Sequence, residues 1–173
     1  MRFRAKKGAK LVELPVIIWV VFIVFLFPLI DFCSLGIGAI FLFNACSQAC
    51  LAASKARAYE SSSTGYPSAQ ATALASAQAA CAAWRGINLN SARTKIITTR
   101  ISDQRQSSQL GKLSSPPDTT SNTYQIELTV NADIDPLIKL EFPLLGQIQG
   151  ISAPLNLSVT QRNYFENSQG LSR

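Results

Sequence analysis

Histidine is absent from this 173-residue chain, which removes the commonest general base and the commonest metal ligand at neutral pH. No Cys-x-x-Cys pair occurs among its four cysteines, so a thioredoxin-like exchange site has no sequence basis. Gly36 and Gly38 lack the preceding strand and the third glycine of a dinucleotide fingerprint. Basic residues are missing from position 11 to position 54, and no charge of either sign lies between Glu13 and Asp31. No catalytic constellation, cofactor site or metal site is therefore expected, and an enzyme is not the favoured reading.

The net charge of +6 is concentrated at one end. Arg2, Arg4, Lys6, Lys7 and Lys10 all precede the first acid, Glu13. Without residues 1–8 the chain holds 12 basic and 10 acidic residues, a surplus of +2. The folded part is close to neutral and lacks the basic stripe that nucleic-acid binding requires.

Leu14 to Ile30 is a charge-free apolar run of 17 residues. As a helix it covers about 25 Å, the short end of what spans a bilayer. A basic leader on one side, with no positive charge until Lys55 on the other, predicts a cytoplasmic N-terminus and an extracytoplasmic remainder. A secretory signal peptide has a shorter apolar core with a small-residue cleavage site soon after it. Here that site is missing, and Asp31-Phe32 before Cys33 does not suit lipoprotein processing. A cut before the apolar segment remains, leaving residues 9–31 as a permanent transmembrane helix and lipid as one partner.

Gly8 and Glu13 fit that expectation. A short basic leader, glycine at its last position and glutamate at the fifth position after it resemble the class III, type IV prepilin processing signal. Cleavage would then fall between Gly8 and Ala9, with residues 1–8 as the leader. Glycine lets the backbone enter a narrow protease cleft at the membrane face. A glutamate just inside the apolar boundary is costly unless it is paired.

The KGAKLVELPVII opening, the closing Asp31, the alanine-rich stretch from Asn44 to Ala58 and the late IKLEFPLLGQIQGISAPLNLSVTQRNYFE segment together resemble TadE-like proteins. These are minor pilins, or pseudopilins, of the tight-adherence, Flp-type pilus system. Pro15, Lys10 beside the cut and the four cysteines depart from the pattern. The resemblance implies prepilin peptidase, other pilins and pilus-assembly platform proteins as partners, and a role in pilus assembly and surface adherence. It places the chain in a bacterial inner membrane, single pass, with a periplasmic or extracellular C-terminal part. It also implies that Glu13 pairs with the newly made N-terminal amine during assembly. Two other readings stay open: an uncleaved anchor carrying a periplasmic scaffold or binding domain, and an anchored thiol enzyme.

Beyond the span the pattern predicts an α+β fold. The first helix should continue as an amphipathic stalk to about Tyr59, burying Phe32, Leu35, Ala39, Phe43, Cys46, Cys50 and Ala53. A turn near residues 61–65 leads to a second helix from Ala69 to Arg85, with Leu74, Cys81 and Trp84 on its inner face. The two helices form an antiparallel hairpin, the region 32–86. That hairpin brings Cys46 opposite Cys81, so a Cys46–Cys81 disulfide is expected, with Cys50–Cys81 as the second choice. Residues 87–166 should form a small antiparallel sheet, with strands at Thr94–Ile101, Thr123–Val130 and Leu155–Val159 and a flexible loop at 102–122. Leu137, Ile138, Leu140, Phe142, Leu144 and Leu145 are candidate core, Asp133 and Asp135 are assigned to a turn, and residues 167–173 should fray.

Overall fold

A computed structural model describes residues 6–60, 65–139 and 147–173, with side chains from Leu14 onward. The fold is α+β: a long apolar helix, a second short helix and a four-stranded antiparallel sheet. Helix α1, Lys6–Ser54, is 49 residues long and contains Pro15 and Pro28. Its two halves differ sharply. Side chains from Leu14 to Val24 are exposed, whereas from Asp31 onward one face is covered by the rest of the chain. That face is Asp31, Leu35, Gly38, Leu42, Ala45, Cys46, Ala49, Cys50 and Ala53. Phe32 and Phe43, expected inside, point outward. The covered stripe is mostly small, and this allows close approach: a methyl group on Gly38 would lie 2.9 Å from Ile134 Cγ2.

Helix α2, Ala69–Ala82, starts where the Ser68 hydroxyl accepts the Ala71 N–H, so Pro67 stands before the cap and not at the first helical position. It returns antiparallel to α1, as the hairpin pattern predicts. Ala69 N–H donates to Ala58 O at one end, and Trp84 stacks on Phe41 at 4.4 Å at the other. Its buried stripe is Ala69, Ala73, Ala77 and Cys81, each four residues from the next. Leu74 lies outside, 40% exposed. Alanine packing keeps the helices close, and a leucine at the seam would hold them apart.

The strands are β1, Ile87–Arg100; β2, Gln106–Gln109; β3, Asn122–Ile134; and β4, Leu155–Tyr164, in the order β2-β1-β3-β4. Three strands were expected. The fourth, β2, lies in the segment expected to be a flexible loop, paired through Ile96–Gln109 and Thr99–Gln106. All four β2 residues are exposed, so no apolar alternation marks it. Central strand β3 buries Tyr124, Ile126, Leu128, Val130, Ala132 and Ile134 toward the helices. Both helices and the sheet share this one core.

The outer face of the sheet is polar and tied across strands. Glu127 lies directly between Lys95 and Arg162 in the register, with Lys95 Nζ at 2.7 Å and Arg162 Nε on the other carboxylate oxygen. Burial alone would push this carboxyl up, but the hydrogen bonds and charges of Lys95 and Arg162 outweigh it and hold its pKa below the usual value. A depressed folded-state pKa contributes stability above the unfolded pKa, about 4.3, and that stability is lost as pH falls through the folded value. Glu127→Gln should cost about 1–2 kcal/mol at pH 7. In urea titrations the gap from wild type should close as pH falls from about 5 through the lowered folded-state pKa. A gap independent of pH would show that the pair adds nothing through charge.

Asp133 and Asp135 form no turn. Asp133 accepts from Asn90 and Asn156, and Asp135 accepts from Asn88, a polar ladder across three strands. The C-terminal segment is not frayed. It forms a short 3-10 helix, Ser168–Ser172, with Leu171 fully buried. Tyr59 N–H donates to Gly170 O at 3.0 Å, and Leu113 N–H to Leu171 O at 2.8 Å. Between β3 and β4, Leu137 is 68% exposed and so is not core. Leu140, Phe142, Leu144 and Leu145 lie outside the described residues.

Candidate functional site

The residues singled out by the sequence lie along α1, except Cys81, which lies on α2. Gly8, Ala9 and Glu13 lie in its first turns, before the exposed apolar stretch. The helix is continuous through Gly8-Ala9 and on past Glu13. From Leu14 it is long and apolar enough to cross a membrane, with a mean hydropathy of 2.8 over its most apolar window. The apolar side chains from Leu14 to Phe25 are exposed among the described residues.

Asp31 marks the change from bare to covered helix. Its side chain is fully buried, and its Oδ1 accepts the Ile138 N–H at 2.8 Å. Oδ2 has no hydrogen-bond partner among the described residues. The sequence places an acid at the end of the span, but only the fold brings the 135–139 segment onto it. Sequence spacing gives no signal for a contact across 107 positions.

All four cysteines are free thiols, with Cys33 exposed and Cys46, Cys50 and Cys81 buried, so neither expected bridge is present. The hairpin register agrees with the expectation, since the contacts at its two ends put position 46 level with the neighbourhood of 81. Rotation about α1 sends the thiols elsewhere. Cys46 Sγ lies 3.6 Å from Leu128 O and Val159 O, and Cys50 Sγ 3.6 Å from Ile126 O and Gln161 O. Both point into the sheet between β3 and β4, outside the spanning part of the helix.

Burial, reinforced by the neighbouring Cys50, pushes the Cys46 thiol up to about 12, and burial pushes Cys50 up to about 11. Burial raises Cys81 as well. A thiol in such surroundings stays protonated at neutral pH and is a poor nucleophile or metal ligand. Among the described residues no group of three or more Cys, Asp or Glu side chains converges on one point. Among the described residues, the depression between α2, β1 and Leu110-Gly111 is open to solvent and does not bring together an acid, a base and a nucleophile.

No family model, no curated protein and no solved structure matches the chain. The functional reading therefore rests on the N-terminal sequence pattern, the long helix and the packing of the sheet and second helix on it.

Proposed function

We propose that the chain is a membrane-anchored minor pilin of the TadE-like kind, cut by prepilin peptidase between Gly8 and Ala9 and taking part in Flp-type pilus assembly and surface adherence. The observation that carries this reading is the coincidence of three features on one helix. Gly8 and Glu13 stand at processing spacing, an uncovered apolar stretch follows at once, and a folded head sits on the distal half. The head would be periplasmic or extracellular and the N-terminus cytoplasmic, as the basic leader favours. Its polar outer sheet face and protonated buried thiols favour a structural part over an anchored thiol enzyme.

N-terminal sequencing of the membrane-extracted protein from a host with an active prepilin peptidase tests the cut. The expected result is a chain beginning at Ala9, and Gly8→Val should leave it uncut because the side chain blocks the narrow cleft. Recovery of intact Met1 from wild type supports the other reading, an uncleaved single-pass anchor with a periplasmic scaffold or binding domain. One observation favours that alternative: α1 is unbroken through the Gly8-Ala9 bond.

Glu13 is assigned to assembly. A carboxylate at this depth costs several kcal/mol unless a positive partner is supplied, and a new N-terminal amine at Ala9 would supply one. Glu13→Ala should insert and be cut normally, yet no longer co-purify with other pilus subunits. Undiminished co-purification would remove the pairing.

A further inference from the structure

The head reaches far down α1, and its contacts fix how far. Trp84 stacks on Phe41, Ile134 lies against Gly38, Gly150 lies beside Leu35, and Ile138 N–H is bonded to Asp31. Below that last contact α1 carries Leu14 to Ile30, a charge-free run of 17 residues or about 25 Å, exposed from Leu14 to Phe25 and partly covered at Leu26, Phe27, Pro28 and Ile30. A bilayer's hydrocarbon layer is about 30 Å thick, and any tilt of the helix shortens its reach further. With this run in the hydrocarbon layer, the lowest contact of the head, Ile138 N–H to Asp31, falls at the membrane surface.

We propose that the rim of the head at the Asp31 level, with Leu137 at its tip, is seated in the outer-leaflet acyl boundary of the membrane that α1 crosses. The proposal rests on the spanning reading of α1 and adds where the head sits. Two observations at that level suit immersion. Leu137 is 68% exposed and Phe32 58% exposed, so the rim offers apolar side chains left uncovered by the described residues. The acid at the same level is withdrawn: Asp31 is fully buried inside the head and presents no charge to lipid. Lys139 beside the rim is paired with Asp135 at 3.6 Å and is long enough to reach the phosphate layer. An aqueous setting would leave Leu137 and Phe32 in water.

The experiment reads tryptophan depth in the full chain, reconstituted in phosphatidylcholine vesicles with or without bromine on the acyl chains. Trp84→Phe leaves Trp19, in the span, as the only tryptophan. Trp19→Phe leaves Trp84, level with Phe41 and about 15 Å above Asp31 along the helix. Leu137→Trp in a Trp19→Phe, Trp84→Phe background reports the rim. Bromines placed high on the acyl chain should remove about half of the rim reporter's emission, as for a side chain at the headgroup–acyl boundary. Trp84 should be little affected, and Trp19 should respond to bromines near the chain ends. A rim reporter quenched no more than Trp84 overturns the proposal, and so does a Trp84 quenched as strongly as the rim. Loss of Trp19 quenching instead overturns the spanning reading on which it rests. Should Leu137→Trp fail to fold, Leu137→Cys in a Cys33→Ser background carries a bimane label to the same point, since the other three thiols are buried.

Discussion

Gly170→Ala should strip the C-terminal segment from the head and cost about 2–4 kcal/mol, the range of severe overpacking combined with lost burial. A methyl group built on Gly170 would lie 2.1 Å from Arg57 O and 2.8 Å from Arg57 C. Those are backbone atoms, fixed just past the end of α1, and they cannot swing aside as a side-chain tip can. The segment must lift. With it go the Tyr59 N–H to Gly170 O bond, the Leu113 N–H to Leu171 O bond and the full burial of Leu171. Burying a leucine side chain contributes about 1.5–3 kcal/mol by itself. Urea unfolding should show the loss, and carboxypeptidase should trim the variant while sparing wild type. The control is Gly36→Ala. No atom lies within 4 Å of a methyl group there, and the residue is in the middle of an exposed helical face. Alanine at that position should be neutral or gain up to about 1 kcal/mol from helix propensity. Equal effects at the two glycines would refute the close-contact account.

Thiol titration should give four free thiols per chain in denaturant, with three of them reacting at least about a hundred-fold more slowly in the native protein than Cys33. Cys46, Cys50 and Cys81 are buried in the shared core, and a reagent reaches them only through an opening of the α1–sheet or α1–α2 contact. Protonation slows them further, because the thiolate is the reacting form. With Cys46 held up to about 12 and Cys50 up to about 11, their thiolate fraction rises about tenfold per pH unit, so their slow native-state rates should still be climbing steeply from pH 7 to pH 9. A count of two thiols in the denatured protein would mean that a bridge has formed after all, and Cys46–Cys81 would be the pair to map first. Fast native labelling of three thiols would contradict the packing of α1 on β3 and β4.

Where the sequence is legible, a strong local period faces a single environment. The alternation from Tyr124 to Val130 identifies the central strand because β3 is covered on one face only. Such a pattern fails when packing depends on residues that carry little hydrophobic signal. Helix α2 turns alanines inward and Leu74 outward, since close helix spacing favours the smaller side chain. Strand β2 is all polar and exposed, and only its register against Ile96–Thr99 makes it a strand. Lys95, Glu127 and Arg162 are far apart in sequence and meet only because β1, β3 and β4 align them in one row. The cysteines divide the two kinds of information cleanly. Turn position and helix rise set their level along the hairpin, whereas the sheet set the rotation that keeps Cys46 and Cys50 away from a bridge to Cys81.

Composition and local period by themselves determined the apolar half of α1, the basic cluster before it, the helical hairpin and three of the four strands of the sheet. These follow from chain-local physics: apolar length, charge position, and a repeat of two or of 3.6 residues. Tertiary structure alone decided that Asp31 is sealed by the Ile138 N–H, that residues 168–172 dock on the end of α1 and that the thiols face the sheet. Each of these joins segments from 76 to more than a hundred residues apart. Their favourable energy comes from close approach of backbone to backbone or of one polar group to another, and no periodic pattern in the sequence records such a contact.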